Sequence, residues 1–341
     1  MVMISLKRAP PPHFITLRDL TGPQIGSLVQ SALQFKHMCK VEGKTAHPDL
    51  PLKGQTLAIM FSKRSTRTRV ATETAMAYLG GQGLFLSSQD IQLGVNESLR
   101  DTSQVVSSMC AGIMARVGAH REIEELAHYS SVPVINALSD TFHPTQILAD
   151  LMTMHEVAVA ERCPPGTLPH EVNFRDTLQG QRVAWVGDAN NIVWEMMMAF
   201  PKLGVDLAVA TPKGYDTPAV LRETAAGFAR EHRTQVAYTQ HPEEAIRDSH
   251  FIVTDTWVSM GQEAEKTKRL QDFKGYQITH DLINRSQPHK DWKFMHCLPR
   301  KQEEVDDAVF YSPQSLVFPE AENRKWTILA VLNALLVNKR Y

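Results

Sequence analysis

Short apolar runs alternate with helical patterns along most of the chain. Thr56-Leu57-Ala58-Ile59-Met60-Phe61, Gly83 to Leu86, Gly112 to Val117 and Val132 to Ala137 each read as a strand between polar turns. The first helical pattern opens at Thr21-Gly22-Pro23 and carries Ile25, Leu28, Val29, Ala32 and Phe35 on one face. Others run over Val70 to Leu79, stopped by Gly80-Gly81, then Leu99 to Met109, Glu122 to Tyr129, and Pro144 to about Val159. Ala160 to Asp176, with the proline-rich Cys163 to His170 in it, interrupts the series as the connection between domains or an exposed insertion. A second series then begins with strand Arg182 to Gly187 and helix Ile192 to Leu203. It continues with strand Asp206 to Ala210, helix Pro218 to Glu231, and strands near Gln235-Val236-Ala237, over His250 to Asp255 and over Phe294 to Cys297. Glu320 to Arg324 opens a last helix, Trp326 to Val337, expected to cross back onto the first series. This alternation predicts an α/β fold of two domains, each a parallel sheet flanked by helices.

Chemistry gathers where strands end. Ser65-Thr66-Arg67-Thr68-Arg69 lies between the first strand and its helix. Helix-end N–H groups, hydroxyls that can cap, and forked arginine donors suit a phosphate or carboxylate there. A solvated basic turn is the plain alternative. The stretch has no glycines and is no Walker loop. Arg116 lies at another strand's carboxyl end, the edge where open parallel sheets bind ligands. His143 and Gln146 flank the start of the helix beyond the next strand. Gly187-Asp188-Ala189-Asn190-Asn191 lacks the dinucleotide fingerprint, so the first strand of the second series predicts no nucleotide cofactor. Asp255 to Gly261 is a further strand-end loop. The charged stretch Glu263 to Arg269 after it suits either a lid or a solvated turn and helix. Cys297 closes a strand; it reads as inert filler, or as a reactive thiol if arginines converge on it and lower its pKa.

Composition narrows the function classes. The 341 residues suffice for two domains, and a formal net charge of −1 gives no general pull toward nucleic acid or anionic membrane. No apolar run approaches a membrane span. Four cysteines are scattered without zinc spacing, which predicts reduced thiols inside a cell. Lys7-Arg8 ahead of three prolines is too little for a complete presequence.

Taken together, Ser65-Thr66-Arg67-Thr68-Arg69, His143-Pro144-Thr145-Gln146, Asp255-Thr256-Trp257-Val258-Ser259-Met260-Gly261 and His296-Cys297-Leu298-Pro299-Arg300 resemble the signatures of the aspartate/ornithine carbamoyltransferase family, in family order. The Ser-Met-Gly and His-Cys-Leu-Pro elements resemble its ornithine branch; the proline-rich segment departs from compact members. The resemblance implies an active site in the cleft between the two domains. Residues 1–155 would bind carbamoyl phosphate, with 322–341 packed back on them, and 156–321 would bind ornithine. Carbamoyl transfer to the δ-amino group of L-ornithine would give L-citrulline and phosphate, in arginine biosynthesis or the urea cycle. Ser65, Thr66, Arg67 and Thr68 would hold the phosphate. Arg116, His143, Gln146, Cys297, Leu298 and Arg324 would join them, and Gln92 would reach a neighbouring subunit's site. Asn191, Asp255, Ser259 and Met260 match ornithine-binding positions. Cys297 is the usual catalytic assignment, beside Arg67, Arg116 and His143. The resemblance further implies a homotrimer, no metal, no organic cofactor and no nucleic-acid or membrane partner. It suggests the mitochondrial matrix, with the cytoplasm as the alternative.

Overall fold

The protein is described here from a computed structural model, which covers residues 11–87, 97–258 and 263–341. Helix α1 (Gly22–Lys40) starts in a capping box between Thr21 and Gln24. It leads to β1 (Thr56–Phe61), α2 (Thr66–Tyr78), β2 (Gln82–Ser87), α3 (Leu99–Met109), β3 (Gly112–Arg116), α4 (His120–Tyr129), β4 (Val134–Leu138) and α5 (Pro144–Arg162). The four strands are parallel, in the order β2-β1-β3-β4. Five of the six β1 residues are buried, as a central parallel strand covered on both faces requires.

The chain then passes through the 3-10 turn Pro169–Glu171 into α6 (Phe174–Leu178). The second series comprises β5 (Arg182–Val186), α7 (Asn191–Ala199), β6 (Asp206–Ala210), α8 (Ala219–His232), β7 (Val236–Thr239), α9 (Pro242–Ile246) and β8 (Phe251–Thr254). After it come α10 (Lys266–Asp272), α11 (His280–Ser286), β9 (Lys293–His296), α12 (Asp307–Phe310) and α13 (Val317–Leu332). Its sheet is parallel too, in the order β7-β6-β5-β8-β9. The charged stretch after β8 folds as a 3-10 turn, Glu263–Glu265, and α10, whose Arg269 is buried against Asp188 at 2.8 Å.

Among the helix boundaries that differ from the sequence pattern, two matter for the site. Helix α2 begins at Thr66, not Val70, so Arg67 and Thr68 lie on its first turn. Helix α13 begins at Val317, not near Trp326, and gives way at Leu332 to a π-helical turn, Asn333–Asn338. The missed start has no Ser, Thr or Asp cap; Leu316 precedes the helix, and Pro319 fits its first turn. Glu320, Asn323 and Arg324 are thus inside the helix, which packs on α1, α2 and α5. Asn323 helps seat it, accepting from Lys36 at 2.8 Å and donating to Glu156 at 2.8 Å.

Candidate active site

Ser65 is the N-cap residue of α2, but its hydroxyl makes no capping bond. The first-turn N–H groups of Thr66, Arg67 and Thr68 therefore stand at a helix start with no side chain satisfying them, the arrangement that binds anions. Thr68 is buried, Thr66 exposed, and Ser65 and Arg67 lie between. The Ser62 N–H and hydroxyl bond the Arg116 carbonyl at 2.9 and 3.1 Å, which ties the turn to the end of β3.

Three arginines and a histidine crowd this corner. Arg324 reaches in from α13 and is almost wholly buried. It donates to Gln146 Oε1 at 2.7 Å, Thr68 Oγ1 at 3.1 Å and Thr145 Oγ1 at 3.2 Å. Burial, with the nearby Arg67, pulls its pKa down to about 10. Burial and Arg67 bring Arg116 down to about 10 as well. Both stay charged at neutral pH, and the Nε of each is buried without a partner. Such orphaned donors are costly and fit a site built for an anion. His143, the N-cap residue of α5, is held well below the ordinary histidine range, first by burial and then by Arg324, Arg116 and Arg67. Its imidazole is neutral at pH 7, able to donate one N–H without adding charge.

The facing side comes from the second sheet. Asp255 follows β8 and is buried. Its Oδ1 accepts from the Cys297 thiol at 3.1 Å and its Oδ2 from Asn190 at 2.8 Å. Asn191, at the start of α7, donates to the Ser139 carbonyl beyond β4 at 2.6 Å, so this position bridges the two sheets. Leu298 lies in the left-handed region at φ 58°, a costly conformation for leucine. It is held from both sides: Arg67 donates to its carbonyl, and its N–H donates to His296 Nδ1 at 2.9 Å.

Of the two readings of Cys297, the thiol whose pKa converging arginines lower is the one the structure corrects. Arginines do converge, yet the Cys297 pKa is pushed well up, first by burial and then by Asp255, with Glu320 and Asp150 adding to it. A carboxylate in contact and a desolvated setting outweigh more distant cations. Cys297 is a neutral thiol and a hydrogen-bond donor.

Arg67, Arg116, His143, Gln146, Thr68 and Arg324 thus meet at one corner, with Asp255, Cys297 and Leu298 opposite. Ser65 and Thr66 lie at its rim on the α2 start. Gln92, Ser259 and Met260 lie outside the described residues. The sequence reading missed Asn190, Asp150 and Glu320. Asp150 lies four residues past Gln146 in α5, where every residue from Pro144 to His155 is buried; a carboxylate in such a run was the available signal. Asp255, His296 and Cys297 bring ligand-type atoms within 4.8 Å of one another. His296 Nδ1 is already taken by the Leu298 N–H, which leaves that trio poorly suited to a cation.

A cationic corner at one parallel sheet's carboxyl end, facing an acid and a thiol from another, defines a two-substrate transferase cleft of the anion-binding α/β class. Family models agree. Residues 12–156 match the aspartate/ornithine carbamoyltransferase carbamoyl-P binding domain, and residues 179–335 match the Asp/Orn binding domain. The chain belongs to the aspartate/ornithine carbamoyltransferase family. It is 50% identical over 331 residues to a mitochondrial ornithine carbamoyltransferase of Coccidioides immitis, covering 96% of this chain and 94% of the relative. A mitochondrial ornithine carbamoyltransferase of Aquarana catesbeiana is 47% identical, over 95% of this chain and 86% of its own. Among solved structures, the ornithine carbamoyltransferase of Pyrococcus furiosus superposes with a TM-score of 0.86 at 40% identity, covering 96% of this chain and 97% of the other.

Proposed function

We infer that the protein transfers the carbamoyl group of carbamoyl phosphate to the δ-amino group of L-ornithine, giving L-citrulline and phosphate. The observation that carries this is the meeting of Arg67, Arg116, Arg324 and a neutral His143 opposite Asp255 and Cys297. The first-turn N–H groups of α2, with Ser65, Thr66, Thr68, Arg67 and Arg116, take the phosphate. Arg116 and the His143 N–H face the carbamoyl oxygen, where negative charge develops as the amine attacks. One such donor is worth about 3 kcal/mol of barrier. Gln146, Arg324, Leu298 and Cys297 complete the donor subsite. Asp255 receives the ammonium of ornithine beside Asn191, and the resemblance assigns Ser259 and Met260 to the same substrate. A Cys297 thiol kept protonated is a poor base; the proton of the attacking amine leaves with the phosphate. No metal or organic cofactor enters this step.

On this reading residues 1–155 with 322–341 form the carbamoyl phosphate-binding domain, and 156–321 the ornithine-binding domain; the seat of α13 on α1, α2 and α5 supports the return of the last segment. Val70, Leu84, Val105 and Met109 of α2, β2 and α3 are exposed apolar groups, which suits burial in a homotrimer with Gln92 crossing into a neighbour's site. Sedimentation should give three times 38.3 kDa; a monomer at micromolar concentration removes the trimer. Names of relatives support the mitochondrial matrix, and fractionation separates it from the cytoplasm. No helix among the described residues is long and apolar enough to cross a membrane. Purified protein given carbamoyl phosphate and ornithine should release citrulline and phosphate in equal amounts. Turnover only with aspartate or putrescine in an acceptor panel would reassign the substrate.

A further inference from the structure

Behind the donor corner lie two carboxyl groups that the reaction does not use. Asp150 of α5 and Glu320 of α13 are 2% and 1% exposed and hydrogen-bond each other. Two carboxyls can do so only if one holds a proton. Glu320 is pushed well up by burial and by Asp150, and Asp150 rises to about 7, mainly through burial. The bond between the two carboxyls therefore needs one shared proton. Both groups present acceptors to the same amide: Gln146 Nε2 donates to Asp150 Oδ1 at 2.8 Å and to Glu320 Oε1 at 2.7 Å. Gln146 Oε1 accepts from Arg324 at 2.7 Å. A guanidinium only donates, so turning the amide over would set N–H against N–H at Arg324 and oxygen against oxygen at the carboxyls. Both N–H groups of Gln146 are thereby consumed, and its oxygen retains one lone pair.

We propose that Asp150 and Glu320 are positioning residues that lock the Gln146 amide oxygen-outward, so that the donor subsite takes an acyl phosphate bearing N–H and rejects its methyl counterpart. The proposal rests on the reading above that Gln146 adjoins the carbamoyl group. An acceptor that cannot become a donor is left unpaired by a methyl group, and a buried unpaired acceptor is expensive. Glu320 also accepts the His296 N–H at 3.0 Å, so the same carboxyl fixes the strand end that carries Cys297 and Leu298.

Two near-isosteric variants separate this lock from a merely structural role. The probes are phosphonoacetamide, which keeps the NH2, and acetonylphosphonate, which has a methyl there; both are measured as inhibitors against carbamoyl phosphate. The native enzyme should prefer the amide by about 100-fold or more. In Glu320→Gln the His296 N–H still demands the new oxygen, so the new NH2 meets the Gln146 NH2. The preference should fall at least ~10-fold, and the KM for carbamoyl phosphate should rise more than kcat falls. In Asp150→Asn the new amide can turn its oxygen to Gln146 and its NH2 to Glu320, so the preference should be kept although here too a carboxyl is replaced by an amide. Should Glu320→Gln fail to fold, Asp150→Ala removes one acceptor and should also lower the preference. Equal binding of the two probes by the native enzyme, or an unchanged preference in the folded breaking variant, overturns the proposal. Binding of neither probe, with no citrulline formed, removes the donor site itself and the lock with it.

Discussion

At the carboxyl end of the first sheet, burial and the nearby Arg67 pull the pKa of Arg116 and Arg324 down; at the end of the second, burial and then Asp255 push a thiol up. The first wall stores unsatisfied positive donors, and the second is acidic and already hydrogen-bonded within itself. A phosphate dianion lowers the energy of the first wall and would raise that of the second. A diamino acid's ammonium does the reverse. The polarity of the cleft therefore orients both substrates before any fine contact is made, which is where positioning gains its part of the rate.

The sharpest way to break this contrast is Arg67→Ala. It should lower kcat/KM for carbamoyl phosphate by about 100-fold or more, as initial rates of citrulline formation would record. A smaller change would mean that Arg116 and Arg324 carry the phosphate without it. Asp255→Asn tests the other wall. The KM for ornithine should rise by roughly 10-fold or more, while inhibition by phosphonoacetamide stays near the native value. Loss of both would merge the two walls into one. Cys297→Ser should retain the fold and lower kcat by about 10-fold, since serine can still donate to Asp255. Because the native thiol pKa is raised, alkylation of Cys297 by iodoacetamide should be slow at pH 7 and accelerate as pH rises. Rapid labelling at pH 7 would restore the thiolate.

The smallest effect on chemistry concerns Glu195 of α7, which lies behind the first wall against the His143 backbone. Its Oε1 accepts from Thr16 Oγ1 at 2.8 Å and from the Leu17 N–H at 2.6 Å, while Oε2 is buried without a partner. Burial raises its pKa from 4.5 to about 8. The fold thus favours the protonated form. That contribution is whole below pH 4.5 and is lost as pH rises through about 8. Glu195→Gln should melt above the native protein at pH 8, by on the order of 2–4 kcal/mol of stability, and the gap should shrink toward pH 5. Calorimetry at the two pH values decides it; a gap independent of pH would place the cause in packing.

The walls differed in how readable they were. Ser65 to Arg69, Arg116 and His143 could be picked out because each abuts its own strand or helix, and local pattern marks such junctions. The parallel sheets followed from strand–helix alternation. Four features were not readable. The Gln146–Glu320 and Asn190–Asp255 bonds join residues far apart in the chain. The start of α13 lacks a capping residue. The direction of the Cys297 shift depends on which charges touch the sulfur, and a list of nearby arginines does not contain that distance.

The Arg324–Thr68 hydrogen bond spans 256 positions, and α2 and α5 lean on the same late helix. A growing polypeptide can therefore hydrogen-bond both sheets while the seat beneath its phosphate pocket is still unmade. Until α13 leaves the ribosome, the nascent protein presents the bare flank of α2 to the cell, and chaperones have that long to meet it.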